Sequence, residues 1–379
     1  MSKNPFLPVS APSLSEADAR AVADLVREGW ASGDAPIVKK FEESVAQLTN
    51  RTYGTAVNSG TSALDIAVFV SGVGPGDEVI IPSFTIVSCL TQVLRSGAKP
   101  VFIDSDPQSW NVTARAFESA VTPATRLAII PHIYGLAAEI EEIEQLCKTH
   151  GIILIEDAAE GLGLSVHGRP AGSFGDMSIV SFYANKVITT GEGGMVLTNQ
   201  EGLHAQLARA RNLGFNETRR FVHEDAAWVY RMPALSAALG YSQVERFKEL
   251  LSDQIERGNH YQELLHSVRG IQLPAREWGG VQNIYWVFGF VLDPELGVDA
   301  RSFMNRLLEV GIGSRPFFYP LHRQPVLEKF GWANQPTLNT SEALGDFGLY
   351  VPSLGTTADD RAGVASEIVK VLNAETKRK

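Results

Sequence analysis

The 379-residue sequence predicts an α/β fold: a large domain built on a mostly parallel sheet, followed by a smaller α+β domain. Three observations carry this reading. Short β-prone runs alternate with helical patterns from Tyr53 to Asn199, as in strand–helix–strand units. A long helical stretch, Ala234 to about His266, then interrupts the alternation. Beyond it the pattern loosens, and the length suits two domains of about 100–200 residues each. The expected division is residues 1–250, including an N-terminal helical segment, and residues 251–379.

Residues 14–29 have helical spacing, with Ser15 and Asp18 three apart as in a helix cap. A second helix covers Ile37 to Leu48. Tyr53–Val57 is a strand that runs into Asn58-Ser59-Gly60-Thr61-Ser62-Ala63-Leu64, a small-residue turn opening a helix. Strands follow at Asp77–Ile81, Pro100–Ile103, Leu127–Ile130 and Ile152–Ile155, with helices at Ile86–Leu94, Thr113–Val121 and Ile140–Thr149 between and after them. The apolar runs Met177–Phe182 and Met195–Thr198 are two more strands. Gly202–Asn212 is a helix, and residues 214–229 form a polar loop containing aromatics. The C-terminal part has a strand at Tyr285–Val291, helices at Ala300–Val310 and Thr357–Asn373, and a segment at 314–322 too rich in proline and aromatics for a plain strand.

Composition excludes several classes. Apolar residues make up 44% and charged residues 20%, as in ordinary globular proteins. A formal net charge of −10 argues against a nucleic-acid binder. The eight histidines lack metal-binding spacing, so no metal is expected. Cys89 and Cys147 form no CxxC and read as buried thiols. No apolar run approaches the ~20 residues needed to span a membrane, and MSKNPFLPVS has no signal-peptide core. A cytoplasmic protein is expected.

The chemistry centres on Lys186, held in the turn between two buried strands. A partly desolvated lysine loses its proton readily and can form a Schiff base; the alternative is a strand-end lysine paired with Glu192. In parallel sheets, ligands gather at the carboxyl ends of strands. His132, Asp157, Glu160, Ser181 and Lys186 all fall there. Asp157 follows four apolar residues, so it is expected to be buried and to need a partner such as a protonated ring nitrogen, or else to cap its loop. The turn at Gly60, Thr61 and Ser62 suits a phosphate at a helix N-terminus, with plain capping as the alternative. Arg315 and His322 could meet a phosphorylated substrate; a packed aromatic loop is equally compatible.

The motifs Asn58–Leu64, Gly76-Asp77-Glu78-Val79, Pro82-Ser83-Phe84-Thr85, His132-Ile133-Tyr134-Gly135, Glu156-Asp157-Ala158-Ala159-Glu160, Ser181-Phe182, Asn185-Lys186 and Thr190-Gly191-Glu192-Gly193-Gly194 resemble, in order and spacing, the DegT/DnrJ/EryC1/StrS family of nucleotide-sugar aminotransferases. Ser105-Asp106-Pro107, Ala184-Asn185-Lys186, Tyr230-Arg231-Met232 and residues 315–320 narrow the resemblance to its perosamine-forming branch. It implies a fold-type I enzyme dependent on pyridoxal 5′-phosphate (PLP), with a mixed seven-stranded sheet and active sites shared across a homodimer. It implies that Lys186 carries the cofactor, Asp157 pairs with its ring nitrogen, and Glu160 lies near the ring. Gly60, Thr61, Ser62 and Ser181 would hold the phosphate. His132, Tyr183, Arg231, Arg315, Phe317 and His322 are the substrate-facing expectations. Two positions depart from the family: Ile86, or Phe84, must serve where an aromatic commonly stacks on the ring, and Val229 stands where asparagine is common. Members with histidine at the lysine position dehydrate; the lysine here favours transamination.

The expected reaction moves an amino group from L-glutamate to a nucleotide-linked 4-keto-6-deoxy sugar, the cofactor alternating between PLP and its amine form, PMP. The rivals are an aminotransferase on a free keto sugar or cyclitol, and a non-catalytic PLP-binding regulator.

Overall fold

The computed structural model describes residues 6–215, 219 and 221–376. Residues 216–218 and 220, part of the expected polar loop, and residues 1–5 lie outside the described residues.

The large domain carries helices α1 (Glu16–Arg27) and α2 (Pro36–Leu48), strand β1 (Tyr53–Val57), α3 (Gly60–Ser71), β2 (Glu78–Pro82), α4 (Ser88–Ser96), β3 (Lys99–Ile103), α5 (Ala114–Ala120), β4 (Thr125–Pro131), α6 (Ile140–His150) and β5 (Ile153–Asp157). A small hairpin, β6 (Ser165–Val166) and β7 (Arg169–Pro170), precedes β8 (Met177–Ser181), β9 (Gly194–Thr198) and α7 (Glu201–Ala210). Seven strands form one sheet in the order β1-β9-β8-β5-β4-β2-β3. Only β9 runs against its neighbours, pairing antiparallel with both β1 and β8.

The strands are apolar throughout because both faces are covered. Successive residues enter opposite cores: Ile80, Ala128, Leu154 and Val180 pack on one side, and Val79, Ile81, Ile129, Ile155 and Ile179 on the other. That two-sided burial is why these elements were readable as short continuous runs. At the N-terminus, the Ser15–Asp18 capping box forms as expected.

The expected single helix from Ala234 is two helices, α8 (Ala234–Val244) and α9 (Phe247–Leu265). The break falls at Glu245 and Arg246, where the Arg246 guanidinium turns back to Asp18 at 2.7 Å and to the Ser13 carbonyl at 2.8 Å. Tertiary hydrogen bonds override helix propensity there.

The second sheet combines β10 (Ile271–Gln272), β13 (Phe288–Leu292), β14 (Arg315–Pro316) and β15 (Gly348–Val351), in the order β10-β13-β15-β14; β11 (Glu277–Trp278) and β12 (Val281–Gln282) form a separate hairpin. Helices α10 (Ala300–Glu309), α11 (Val326–Lys329), α12 (Asn339–Phe347) and α13 (Ala358–Thr376) complete this part. β13 begins three residues later than expected. Tyr285 has φ +49°, and the Trp286 indole N–H is committed to the Asn185 carbonyl at 3.1 Å, so residues 285–287 form a junction instead of a strand.

The N-terminal segment does not stay on the large domain. Leu7 pairs with Ile312 and packs in the core of the small one, and the Ala11 N–H donates to the Leu354 carbonyl. The segment ties the second sheet to α1.

Candidate active site

The carboxyl ends of β4, β5 and β8, the N-termini of α3 and α4, and the junction with the second sheet enclose a cavity of about 300 Å³. That volume is at the lower end of the usual range for small-molecule sites. Lys186 enters it from the turn between β8 and β9. Its backbone N–H donates to the Tyr183 carbonyl at 2.9 Å, and its Nζ lies 3.7 Å from the centroid of the Trp286 ring. Burial pulls the ammonium below the ordinary lysine pKa, against the opposing charges of Glu160 and Asp157. Those two acids face the lysine; Glu192, the alternative partner, lines the same cavity but forms no ion pair with it among the described residues.

Asp157 ends β5 and is 3% exposed. Its Oδ1 accepts the Ala159 N–H at 3.0 Å, and its Oδ2 accepts the Cys89 thiol at 3.4 Å. Burial raises its pKa, and these donors with Lys186 hold it back only in part. Glu160 Oε2 accepts the Tyr134 N–H at 2.9 Å. Burial pushes this carboxyl up to about 8, against the pull of Lys186.

The Tyr134-Gly135 step explains why that motif has its residues. Tyr134 holds φ +55° and Gly135 φ +90°. A Cβ on Gly135 would stand 2.6 Å from the backbone nitrogens of Tyr285 and Trp286. Glycine lets the two parts of the chain touch there, which sets Trp286 over Lys186.

Opposite Lys186, helix α3 opens with Ser59 as its cap. The Ser59 hydroxyl accepts the Ser62 N–H at 3.0 Å. The Gly60 and Thr61 N–H groups, at the first turn, have no intrahelical acceptor. Thr61 Oγ1 lies 2.7 Å from Ser88 Oγ, which joins the start of α3 to the start of α4. Gly60 sits so close to Ser181 that a Cβ would come within 3.0 Å of the serine Cβ. Hydroxyls, free N–H groups and two helix N-termini make an anion cradle.

Not every expected residue takes part. The Ser62 hydroxyl is buried and donates to Asn58 Oδ1 at 2.6 Å, stabilising the turn away from the cavity. Ser59 and Ser88 line the cavity in its place. Ile86 forms part of the wall, whereas Phe84 is fully buried among Tyr134, Phe317 and Phe318, so the wall at this point is aliphatic. Tyr183 and Arg315 also line the cavity.

His132 touches the cavity, but both ring nitrogens are engaged. Nδ1 accepts the Ala138 N–H at 3.3 Å, so Nε2 carries the proton toward Glu156 at 2.9 Å. It has no ring nitrogen to offer a substrate. Phe317 is 3% exposed inside the aromatic cluster, and Phe318 takes the cavity position. His322 is held between Ser83 Oγ at 2.6 Å and Glu342 at 3.0 Å, in a separate cleft. Arg231 pairs with Asp34 at 3.4 Å and does not reach the cavity of its own chain.

The family model for DegT/DnrJ/EryC1/StrS aminotransferases matches residues 12–369. The chain belongs to the DegT/DnrJ/EryC1/StrS aminotransferase family. This DegT-family chain is 33% identical to a GDP-perosamine synthase of Vibrio cholerae over 96% of its own length and 98% of the relative's. It is 34% identical to a GDP-perosamine synthase of Caulobacter vibrioides, covering 98% and 100%. The crystal structure of the aminotransferase TlmJ from Streptoalloteichus hindustanus superposes with a TM-score of 0.91 at 27% identity, covering 98% and 100% of the two chains. The protein is therefore a PLP-dependent sugar aminotransferase.

The cavity fits that cofactor. It offers one amine of lowered proton affinity, one buried acid with both oxygens already aligned, and an anion cradle whose glycine admits no side chain. Sequence reading missed Ser59, Ser88, Cys89, Trp286, Phe318 and Tyr350 around it. Ser59 and Ser88 were legible in principle as residues at helix starts; Trp286, Phe318 and Tyr350 depend on how two distant segments meet.

Proposed function

We propose that the enzyme moves an amino group from L-glutamate to the keto carbon of a nucleotide-linked 4-keto-6-deoxy sugar, on the pattern of its GDP-perosamine synthase relatives. Three relatives of that name, 31–34% identical over more than nine-tenths of the chain, support the substrate class. The observation that carries the reading is Arg315. It lines the same cavity as Lys186, and its hydrogen-bond partner there is the Tyr350 phenol and not a carboxylate, which leaves a cation for an anionic substrate group.

PLP, when bound, supplies an electron sink for the carbon that exchanges its amino group. The residues then have these roles. Lys186 Nζ holds the cofactor at rest and, once displaced by an incoming amine, moves the proton at the reacting carbon. Its lowered proton affinity keeps the neutral amine accessible for both tasks. Asp157 keeps a proton on the ring nitrogen. Glu160 holds a proton near the ring's oxygen side, as its raised pKa allows. Gly60, Thr61, Ser59, Ser88 and Ser181 orient the phosphate. Trp286 and Ile86 keep water from the reacting face. Tyr183 and Arg315 meet the substrate.

The active sites are proposed to be shared across a homodimer. Ile86 and Tyr183 at the cavity, Val87 beside Ile86 in sequence, Trp30, and Val229 two residues before Arg231 are all at least 36% exposed in the single chain, an unusual set of apolar side chains to leave in water. A second copy would cover them and bring its Arg231 toward the site.

The test is a two-step reaction. L-glutamate alone should convert the bound cofactor to its amine form, and a nucleotide-linked 4-keto-6-deoxy sugar should then return it and emerge aminated. If glutamate converts the cofactor but only a free keto sugar or cyclitol is aminated, the nucleotide assignment is wrong.

A further inference from the structure

We propose that Cys89 is a positioning residue for Asp157: its thiol fixes the second oxygen of the carboxylate that faces the cofactor's ring nitrogen. The proposal concerns the cofactor site and does not depend on which sugar is the substrate.

Cys89 is the second residue of α4, 1% exposed, beneath the cavity floor. Its Sγ lies 3.4 Å from Asp157 Oδ2, and among the described residues it is the one side-chain or backbone donor to that oxygen. The other oxygen is held by the Ala159 N–H. Thr85 Oγ1 stands 3.8 Å behind the sulfur, so a short chain runs from the Thr85 hydroxyl through the thiol to the carboxylate. Both Thr85 and Cys89 are buried.

The chain has a fixed direction. Burial, and then the charge of Asp157, push the thiol well above its ordinary pKa, so the sulfur keeps its proton and donates it. That also excludes it as a nucleophile or redox sensor, since those need an exposed, stabilised thiolate. A carboxylate accepting from two fixed donors cannot rotate freely, and each donor favours its ionised form against the burial that opposes it. The charged and titratable groups facing Asp157 are Lys186 from the turn after β8, His132 from the end of β4 and Glu160 from the loop after β5. None of them holds Oδ2 by a hydrogen bond. The thiol therefore presets the remaining lone pairs of Asp157 toward the cavity.

Apoprotein is titrated with ¹⁵N-labelled PLP, reading both the dissociation constant and the ring-nitrogen resonance. Cys89→Ala and Cys89→Val remove the donor and differ in size; Cys89→Ser keeps a donor of similar size. The two donor-less variants are expected to bind PLP about fivefold more weakly, the scale of one ordinary hydrogen bond from a weak thiol donor, with the resonance moved toward the unprotonated ring. Cys89→Ser should stay within about twofold of the parent with the parent's resonance. If the alanine and valine variants leave both readouts unchanged, the thiol only fills space and the proposal fails. A serine variant as weak as alanine overturns it equally.

Discussion

Lys186 and Glu160 share a cavity in which each opposes what burial does to the other. Burial lowers the lysine and raises the glutamate, and the attraction between them limits both shifts. Lys186→Ala removes the amine that carries the cofactor and moves the proton. Steady-state turnover should fall by at least about a thousandfold, the scale of losing a general base that is also the nucleophile; near-native turnover would contradict the role. Glu160 yields a pH prediction. Its proton is bound more tightly in the folded chain, with the pKa pushed up to about 8 from an ordinary 4.5. Between those values the folded state carries the extra proton, so folding stability from this group is complete at low pH and is lost as pH rises. Thermal melts of apoprotein across this window should show the decline, and Glu160→Gln should flatten it. An unchanged slope in the variant would place the titrating group elsewhere. Some residues were legible from sequence at this scale and some were not. Lys186 and Asp157 declared themselves because each follows a buried strand. Phe317 and Phe318 could not be separated: adjacent residues of like chemistry face different ways, and only the packed register says which one meets the cavity.

At the scale of elements, the cradle depends on β9 and the start of α3 touching. Gly194 pairs with Val57 across the sheet, and a Cβ there would stand 2.4 Å from the Ser59 carbonyl oxygen and 2.7 Å from the Gly60 nitrogen. Backbone cannot yield as a flexible side chain can. Gly194→Ala should therefore push the first turn of α3 out of place, cost about 1–3 kcal/mol in denaturant unfolding, and weaken PLP binding. An alanine variant of parental stability and cofactor affinity would mean the cradle is not fixed by this contact. The strands were legible for the reason given by the two cores: both faces are apolar, so each reads as a short continuous run. The split between α8 and α9 was not, since Arg246 leaves the helical path for Asp18, 228 residues away in sequence. β13 was read three residues too early because Tyr285–Val287 are as apolar as a strand while serving a junction.

At the scale of the whole molecule, the N-terminal segment, the Gly135 contact and the Trp286–Asn185 hydrogen bond all join the small part to the cavity-bearing part. The cavity is complete only when they meet. The fold was legible because alternation and motif order are local properties of the chain; the junction is a long-range one. Among the described residues, no helix is long and apolar enough to cross a membrane. The proposed dimer predicts a species of twice the 41.2 kDa chain mass in light scattering at micromolar concentration. A monomer at that concentration would leave the apolar rim unexplained.

One cavity is proposed to carry both halves of a transamination from glutamate to a nucleotide-linked keto sugar. Absorbance of the PLP-loaded protein tests it most directly, recorded before L-glutamate, after it, and after a GDP-linked 4-keto-6-deoxy sugar is added. The visible band should be lost with glutamate and return with the sugar, and an aminated nucleotide sugar should appear in the product. A visible band that glutamate never changes would contradict it.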